Sequence, residues 1–284
     1  MPLSALSAER RFDIYSLLQS ARIRGSVGVP LPNPFKALSA IGTELLRGQL
    51  ALVAAGPGTG KSAFVLTWAL LSRVPCMYFS ADSDNFTQFT RALSIVSGRT
   101  LEESAKIYHD KKFDLIKEEL APYPIRFNYA ASPTLDDIQL SMQAYEEVYG
   151  DYPALVVIDN VTNVVGDGDN AEDPFSGLES LMDYLATMAR ETESCVVGTH
   201  HVTGPYNDAN KPIPLSGIKG QISRVPSMVL TLHKKEGLDE SKKTLCVSTV
   251  KNRGGKADPS GEMYAELMFE GDRMQIRDFP EDEF

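Results

Sequence analysis

Ala55-Gly56-Pro57-Gly58-Thr59-Gly60-Lys61-Ser62 sets glycines, a lysine and a hydroxyl in an order that can grip a polyphosphate. The glycines let successive backbone N–H groups turn inward around phosphate oxygens, and the start of a following helix adds its positive end. The Lys61 ammonium then reaches the β- and γ-phosphates, and the Ser62 hydroxyl holds Mg²⁺. The expected ligands are ATP and Mg²⁺, contacted by Gly56, Pro57, Gly58, Thr59, Gly60, Lys61 and Ser62. Where the pattern usually begins with glycine this chain has Ala55, a position that shapes the turn and carries no chemistry. About a hundred residues on, Ala154-Leu155-Val156-Val157-Ile158-Asp159 ends an apolar strand in a carboxylate. Such a carboxylate can hold the same Mg²⁺ through Ser62 and water.

This chemistry requires a strand before the loop and a helix after it, and the flanks supply both. Leu50–Ala54 is a short apolar run, and Ala63–Ser72 reads as a buried helix. Further strands are expected at Cys76–Ser80, Ile125–Tyr129, Ala154–Ile158, Cys195–Thr199, Met228–Leu232 and Thr244–Val250, with a helix over Phe86–Val96. The early strands are apolar on both faces and separated by helices, which suits a mostly parallel sheet covered on both sides. The last two are joined by the turn-like 235–243 and predict an antiparallel extension. Ahead of these elements, residues 4–21 read as a helix and Pro30, Pro32 and Pro34 break it. The expected division is an arm and linker over 1–34 and one α/β domain over 35–284.

At 284 residues the chain can bury a core without staples. Cys76, Cys195 and Cys246 lie far apart in apolar stretches, which predicts reduced thiols rather than disulfides or a zinc site. No apolar run approaches the roughly 18 residues of a membrane span, and the N-terminus does not read as a secretory signal, so the expected compartment is the cytoplasm. The net charge of −10 excludes a generally basic nucleic-acid surface but not a local binding loop.

The order of several segments resembles the ring-forming replicative helicases of the DnaB type, a branch of the RecA-like P-loop ATPases. The stretch Leu38–Leu50 is similar to their lead-in to the phosphate loop. Met77-Tyr78-Phe79-Ser80-Ala81-Asp82 resembles their second strand, where a carboxylate acts on the attacking water. The resemblance gives Asp82 that role, a methylene shorter than the family's usual Glu, with Asp84 as the alternative. Val196-Val197-Gly198-Thr199-His200-His201 is similar to the strand tip that carries a γ-phosphate sensor, which implies His201. Two adjacent histidines also raise a metal site, but neighbours on a strand point to opposite faces. Ser216–Gln221 resembles a Gly-containing segment in which Gln221 contacts nucleotide or couples sites. Val250-Lys251-Asn252-Arg253 matches the Lys-x-Arg that enters the neighbouring subunit's ATP site, with Arg253 as a finger in trans and Lys251 beside it. Against that stands a plain basic turn between two strands.

The resemblance implies a free-standing motor domain, active as a homo-oligomeric ring, expected to be a hexamer, on single-stranded DNA. Candidate DNA loops are 165–177, which is acidic, and 203–215, with Lys211 in the second and Lys219 and Arg224 beyond it. Two other outputs fit the same fold: a recombinase-like strand-pairing ATPase, and a KaiC-like regulatory or loading ATPase whose partners are proteins. Cleavage of DNA has only a weak basis, the acidic cluster Asp167, Asp169, Glu172 and Asp173.

Overall fold

The computed structural model describes residues 16–22, 25–165, 176–220, 222–239 and 242–280. Its helices are α1 (Leu17–Ser20), α2 (Lys36–Ala40), α3 (Lys61–Leu71), α4 (Asn85–Ser97), α5 (Leu101–His109), α6 (Lys117–Leu120), α7 (Leu135–Tyr149) and α8 (Ser176–Thr192). Its strands are β1 (Leu50–Ala55), β2 (Cys76–Ser80), β3 (Ile125–Asn128), β4 (Leu155–Asp159), β5 (Cys195–His201), β6 (Met228–Asp239), β7 (Lys242–Asn252), β8 (Tyr264–Glu270) and β9 (Gln275–Asp278).

The nine strands of the described residues join one sheet in the order β3-β2-β4-β5-β1-β6-β7-β8-β9. The pairings from β3 across to β6 are parallel, and those from β6 to β9 are antiparallel. Alternate residues of the strands enter two separate apolar cores. On one face Val53, Tyr78 and Val197 meet Phe35 and Leu38 from α2 and before it, with Phe64 and Trp68 of α3. On the other, Leu52, Phe79 and Val196 meet Ile138 of α7 and Leu185 of α8. This is the RecA-like arrangement expected, a mostly parallel sheet covered on both sides with an antiparallel C-terminal extension.

The expected turn over 235–243 is a correction. The ladder continues through Lys235↔Thr244 to Asp239↔Lys242, with an irregularity between those pairs, so β6 and β7 extend into it. Strands β8 and β9 go beyond the sequence expectation; β8 buries Ala265, Leu267, Met268 and Phe269, and β9 buries Ile276. Of the leading helix, only the turn Leu17–Ser20 lies within the described residues, capped by Ser16. Residues after it lie along the domain: Pro30 bridges Leu46, and Glu193 accepts from the backbone and hydroxyl of Ser26.

Local signals start several helices. Asp84 caps α4 by accepting from the Thr87 amide, and Thr100 with Glu103 and Thr134 with Asp137 form capping boxes on α5 and α7. Helix α3 differs. It begins at Gly60, which offers no side-chain cap, so the N–H groups of its first turn remain available for a ligand.

Candidate active site

Strand β1 delivers the phosphate loop at the C-terminal edge of the sheet, where open α/β sheets bind ligands. Gly58 (φ +68°) and Gly60 (φ +107°) hold left-handed backbone that the turn needs and that a side chain resists. Gly60 has a second reason to be glycine: a Cβ there would lie 3.1 Å from the Phe269 ring of β8. At Gly56 a Cβ would meet the Asn207 carbonyl oxygen at 2.1 Å, so the loop after β5 rests directly on the phosphate loop. Pro57 and Gly58 are exposed at the tip, whereas Thr59 is buried and its hydroxyl donates to the Gly56 carbonyl.

Lys61 is only 8 % exposed. Burial pushes its pKa down, while the charges of Asp159 and Asp82 pull it back up. It makes no ion pair among the described residues. A buried ammonium with no paired carboxylate is costly unless an anion arrives to match it. Together with the uncapped start of α3, this fits a nucleotide polyphosphate.

Asp159, 1 % exposed, ends β4. The Tyr78 hydroxyl donates to its Oδ2 at 3.0 Å and the Thr199 hydroxyl donates to its Oδ1 at 2.6 Å. The carboxylate is thus fixed in orientation from both neighbouring strands and its charge is felt at Lys61, which fits a Mg²⁺ held by Ser62 and Asp159. Asp82 follows β2, exposed, and its charge acts on both Lys61 and His201. The alternative, Asp84, is occupied: hydrogen bonds from Thr87 at the start of α4 hold its carboxyl below the usual range.

His201 ends β5. The Asn160 amide nitrogen donates to its Nε2 at 2.7 Å, which leaves the ring proton on Nδ1. Burial and the Lys61 charge push its pKa down, which favours the neutral ring. His200 points to the other face and is fully buried. Its Nε2–H donates to the Lys219 carbonyl at 2.7 Å, and burial lowers its pKa to about 4. The described residues contain no group of three His, Cys, Asp or Glu able to hold a metal ion, and the acidic residues Asp167, Asp169, Glu172 and Asp173 lie outside them.

Arg253 and Lys251 are elsewhere. The Arg253 amide donates to the Ser227 carbonyl, and the Ser227 amide donates to Leu50 at the start of β1. The phosphate loop leaves the other end of that six-residue strand. At about 3.3 Å per residue the two ends are roughly 16 Å apart, too far for Arg253 to reach its own subunit's γ-phosphate. Lys251 donates to the Ser223 and Arg224 carbonyls at 2.8 and 2.7 Å, and Arg253 donates to the Arg224 carbonyl. Burial and the Arg253 charge bring the Lys251 pKa down to about 8. Arg253 lines an open cleft of about 720 Å³ with Arg190, Arg224, Glu179 and Asp183.

The expected DNA residues separate. Lys211 lies over the Tyr206 ring at 5.2 Å. Lys219 has its backbone tied to β5, and its charge lowers the pKa of His200 and His201. Arg224 pairs with Glu179 at 3.2 Å at the opposite end of the sheet. Gln221, and most of the loop 165–177, lie outside the described residues.

Several residues at the site are not singled out by the sequence alone. Tyr78 shares the alternation of Ser80 and Asp82, and Thr199 that of His201, so period-2 spacing signals both. Asn160 directly follows Asp159. Lys234, whose ammonium donates to the Gly58 carbonyl, and Phe269, against Gly60, have no local signal.

A family model for the DnaB-like helicase C-terminal domain matches residues 30–278. The gene 65 protein of Mycobacterium phage L5 is 60 % identical over 268 residues, covering 94 % of this chain and 99 % of that protein. The gene 65 protein of Mycobacterium phage D29 is 61 % identical over 232 residues, covering 81 % and 99 %. Among solved structures, a DnaB-like replicative helicase superposes with a TM-score of 0.76 at 16 % identity, covering 93 % of this chain and 66 % of that one. An ATPase domain solved by itself gives the same score at 17 % identity, covering 93 % of this chain and 96 % of that one. A KaiC-like protein of Pyrococcus horikoshii follows at 0.55 and 15 % identity, covering 91 % and 99 %. At these identities the structural likenesses establish the fold.

Proposed function

The chain belongs to the family of DnaB-like helicase C-terminal domains, and on that premise we propose that it is a Mg²⁺-dependent ATPase that assembles head to tail into a ring, a hexamer, on single-stranded DNA in the cytoplasm of an infected cell. The observation that carries this is the placement of Arg253, one strand length from its own phosphate loop and level with the start of β1. A finger on one end of the subunit and a phosphate site on the other make a heterologous contact, which closes into a ring when the rotation permits.

In this reading the amides of Gly56–Gly60 and the first turn of α3 bind the phosphates, and Lys61 neutralises the terminal ones. Ser62 and Asp159 would hold the Mg²⁺, which would supply charge neutralisation to the phosphates. Tyr78 and Thr199 keep the Asp159 carboxylate from turning. Asp82 orients the attacking water and accepts its proton. Neutral His201 donates from Nδ1 toward the terminal phosphate, its ring angle set by Asn160. Arg253 of the next copy, steadied by the Arg224 carbonyl, meets the charge that develops at transfer, with Lys251 beside it.

DNA is held by the loop 203–215, where Lys211 and Tyr206 place a cation and an aromatic ring side by side. The same loop touches Gly56 through Asn207, so strand binding and phosphate binding share a contact. The test is ATP turnover with and without single-stranded DNA, run beside a native mass measurement with a non-hydrolysable ATP analogue. Stimulated turnover and a closed oligomer are expected; a monomer indifferent to DNA overturns the reading.

A further inference from the structure

Side chains close the turn that carries Asp82. The residue is exposed, so its place is set by the backbone on either side of it. Ahead of it the Ala81 amide donates to the Asp159 carbonyl at 2.8 Å, which ties the end of β2 to the end of β4. Behind it the Asp84 carbonyl accepts from the backbone N–H of Gln88, and the Asp84 carboxyl from that of Thr87, where α4 begins. Across it the Ser80 hydroxyl donates to the Ser83 carbonyl at 2.6 Å. From α4, the carboxamide nitrogen of Gln88 donates to that same hydroxyl at 2.8 Å. The Arg91 guanidinium reaches the turn as well, donating to the Ser83 hydroxyl at 3.2 Å. Gln88 is fully buried, and its Oε1 has no hydrogen-bond partner among the described residues.

We propose that Gln88, acting through Ser80, is a positioning residue for Asp82 in ATP hydrolysis. This rests on the proposed role of Asp82 toward the attacking water and adds what holds the carboxylate there. The Ser83 carbonyl can only accept, so the single Ser80 proton goes to it and Gln88 must present N–H rather than oxygen. That N–H occupies a lone pair of the hydroxyl and keeps its proton on Ser83, so the two bonds reinforce one another. A buried amide with an unmatched oxygen is costly to the fold, and a leucine of similar volume would remove that cost. What Gln88 gives in return is the closed turn. A short aspartate arm has little torsional freedom with which to absorb a shift of its backbone. Misplacement of a reacting group by about 1 Å costs on the order of 10²-fold in rate.

The experiment compares wild type, Gln88→Leu, Ser80→Ala, the double variant and Asp82→Asn. Steady-state phosphate release gives kcat and KM, a fluorescent ATP analogue gives nucleotide affinity, and urea unfolding gives stability. Expected for Gln88→Leu is a kcat lowered about tenfold to a hundredfold at unchanged nucleotide affinity, in a fold at least as stable as wild type. Ser80→Ala should lose at least as much kcat. The double variant should lose no more than Ser80→Ala alone, because the two side chains act in one chain of bonds. Asp82→Asn should set the floor for all of them. Wild-type kcat in Gln88→Leu overturns the proposal. So does a loss shared equally by kcat, nucleotide affinity and stability, which marks a merely structural residue, or losses that multiply in the double variant. Should Gln88→Leu fail to fold, wild-type kcat in Ser80→Ala overturns the proposal in the same way. Full turnover of Asp82→Asn sinks the reading of Asp82 itself, a result distinct from each of these.

Discussion

Arg253→Ala and Lys61→Ala damage opposite ends of one subunit, and the structure dictates how they combine. Arg253 is level with Leu50, and Lys61 lies beyond Ala55, which is itself roughly 16 Å away at the rise of a β-strand. Each substitution alone should nearly abolish turnover. Loss of a finger arginine costs about 10³–10⁵-fold, and loss of Lys61 removes the cation that the buried site was built around. Arg253→Ala keeps the whole phosphate loop and should still bind ATP. In an equimolar mixture that assembles at random, an interface works when an Arg253→Ala copy supplies the phosphate site and a Lys61→Ala copy supplies the arginine. In a heterologous ring that combination occurs at about one interface in four, so turnover should return to about a quarter of wild type if the interfaces act independently. The assay is steady-state phosphate release across mixing ratios, with mixed assembly verified by native mass of one isotopically labelled partner. A mixture that co-assembles yet stays inactive refutes the trans assignment, as does full turnover of Arg253→Ala alone.

Tyr78→Phe removes a donor from the buried Asp159 carboxylate and should lower stability by about 1.5–3 kcal/mol, read by urea unfolding, with turnover falling further than nucleotide affinity. Gly56→Ala drives a methyl into the Asn207 carbonyl, so it should cost about 1–3 kcal/mol and weaken both ATP and single-strand binding in equilibrium titrations. His200 is held neutral in the fold, its pKa lowered from 6.5 to about 4. Below pH 6.5 the unfolded chain therefore takes up a proton that the folded one refuses. Its contribution is complete above pH 6.5 and is lost as pH falls toward about 4, on the order of 3 kcal/mol in all. His200→Gln should flatten that limb of an unfolding profile, and an unchanged slope would remove His200 as its source.

What could be read from residues alone was whatever is contiguous. The phosphate loop is a strand, a turn and the start of a helix, and its glycines answer to backbone angles set within a few residues, so Gly56–Ser62 was legible without a fold. Asp159 and His201 were legible as polar residues ending apolar strands, with an order along the chain that matched a known pattern. The parity of Tyr78 and Thr199 with those residues was also present, but parity has meaning only once β2, β4 and β5 are known to be neighbours. Lys234 and Phe269 carried no signal, because a contact between Lys234 and Gly58 spans 176 residues and exists only since β6 lies beside β1. Arg253 shows the division most clearly. Its residue type and its place after a strand follow from the sequence. That it sits at the wrong end of its own subunit follows from β6 running parallel to β1 and β7 running back. Side-chain chemistry is local and written in the order of residues; which groups can meet depends on strand order, and strand order is settled only when distant apolar faces bury one another.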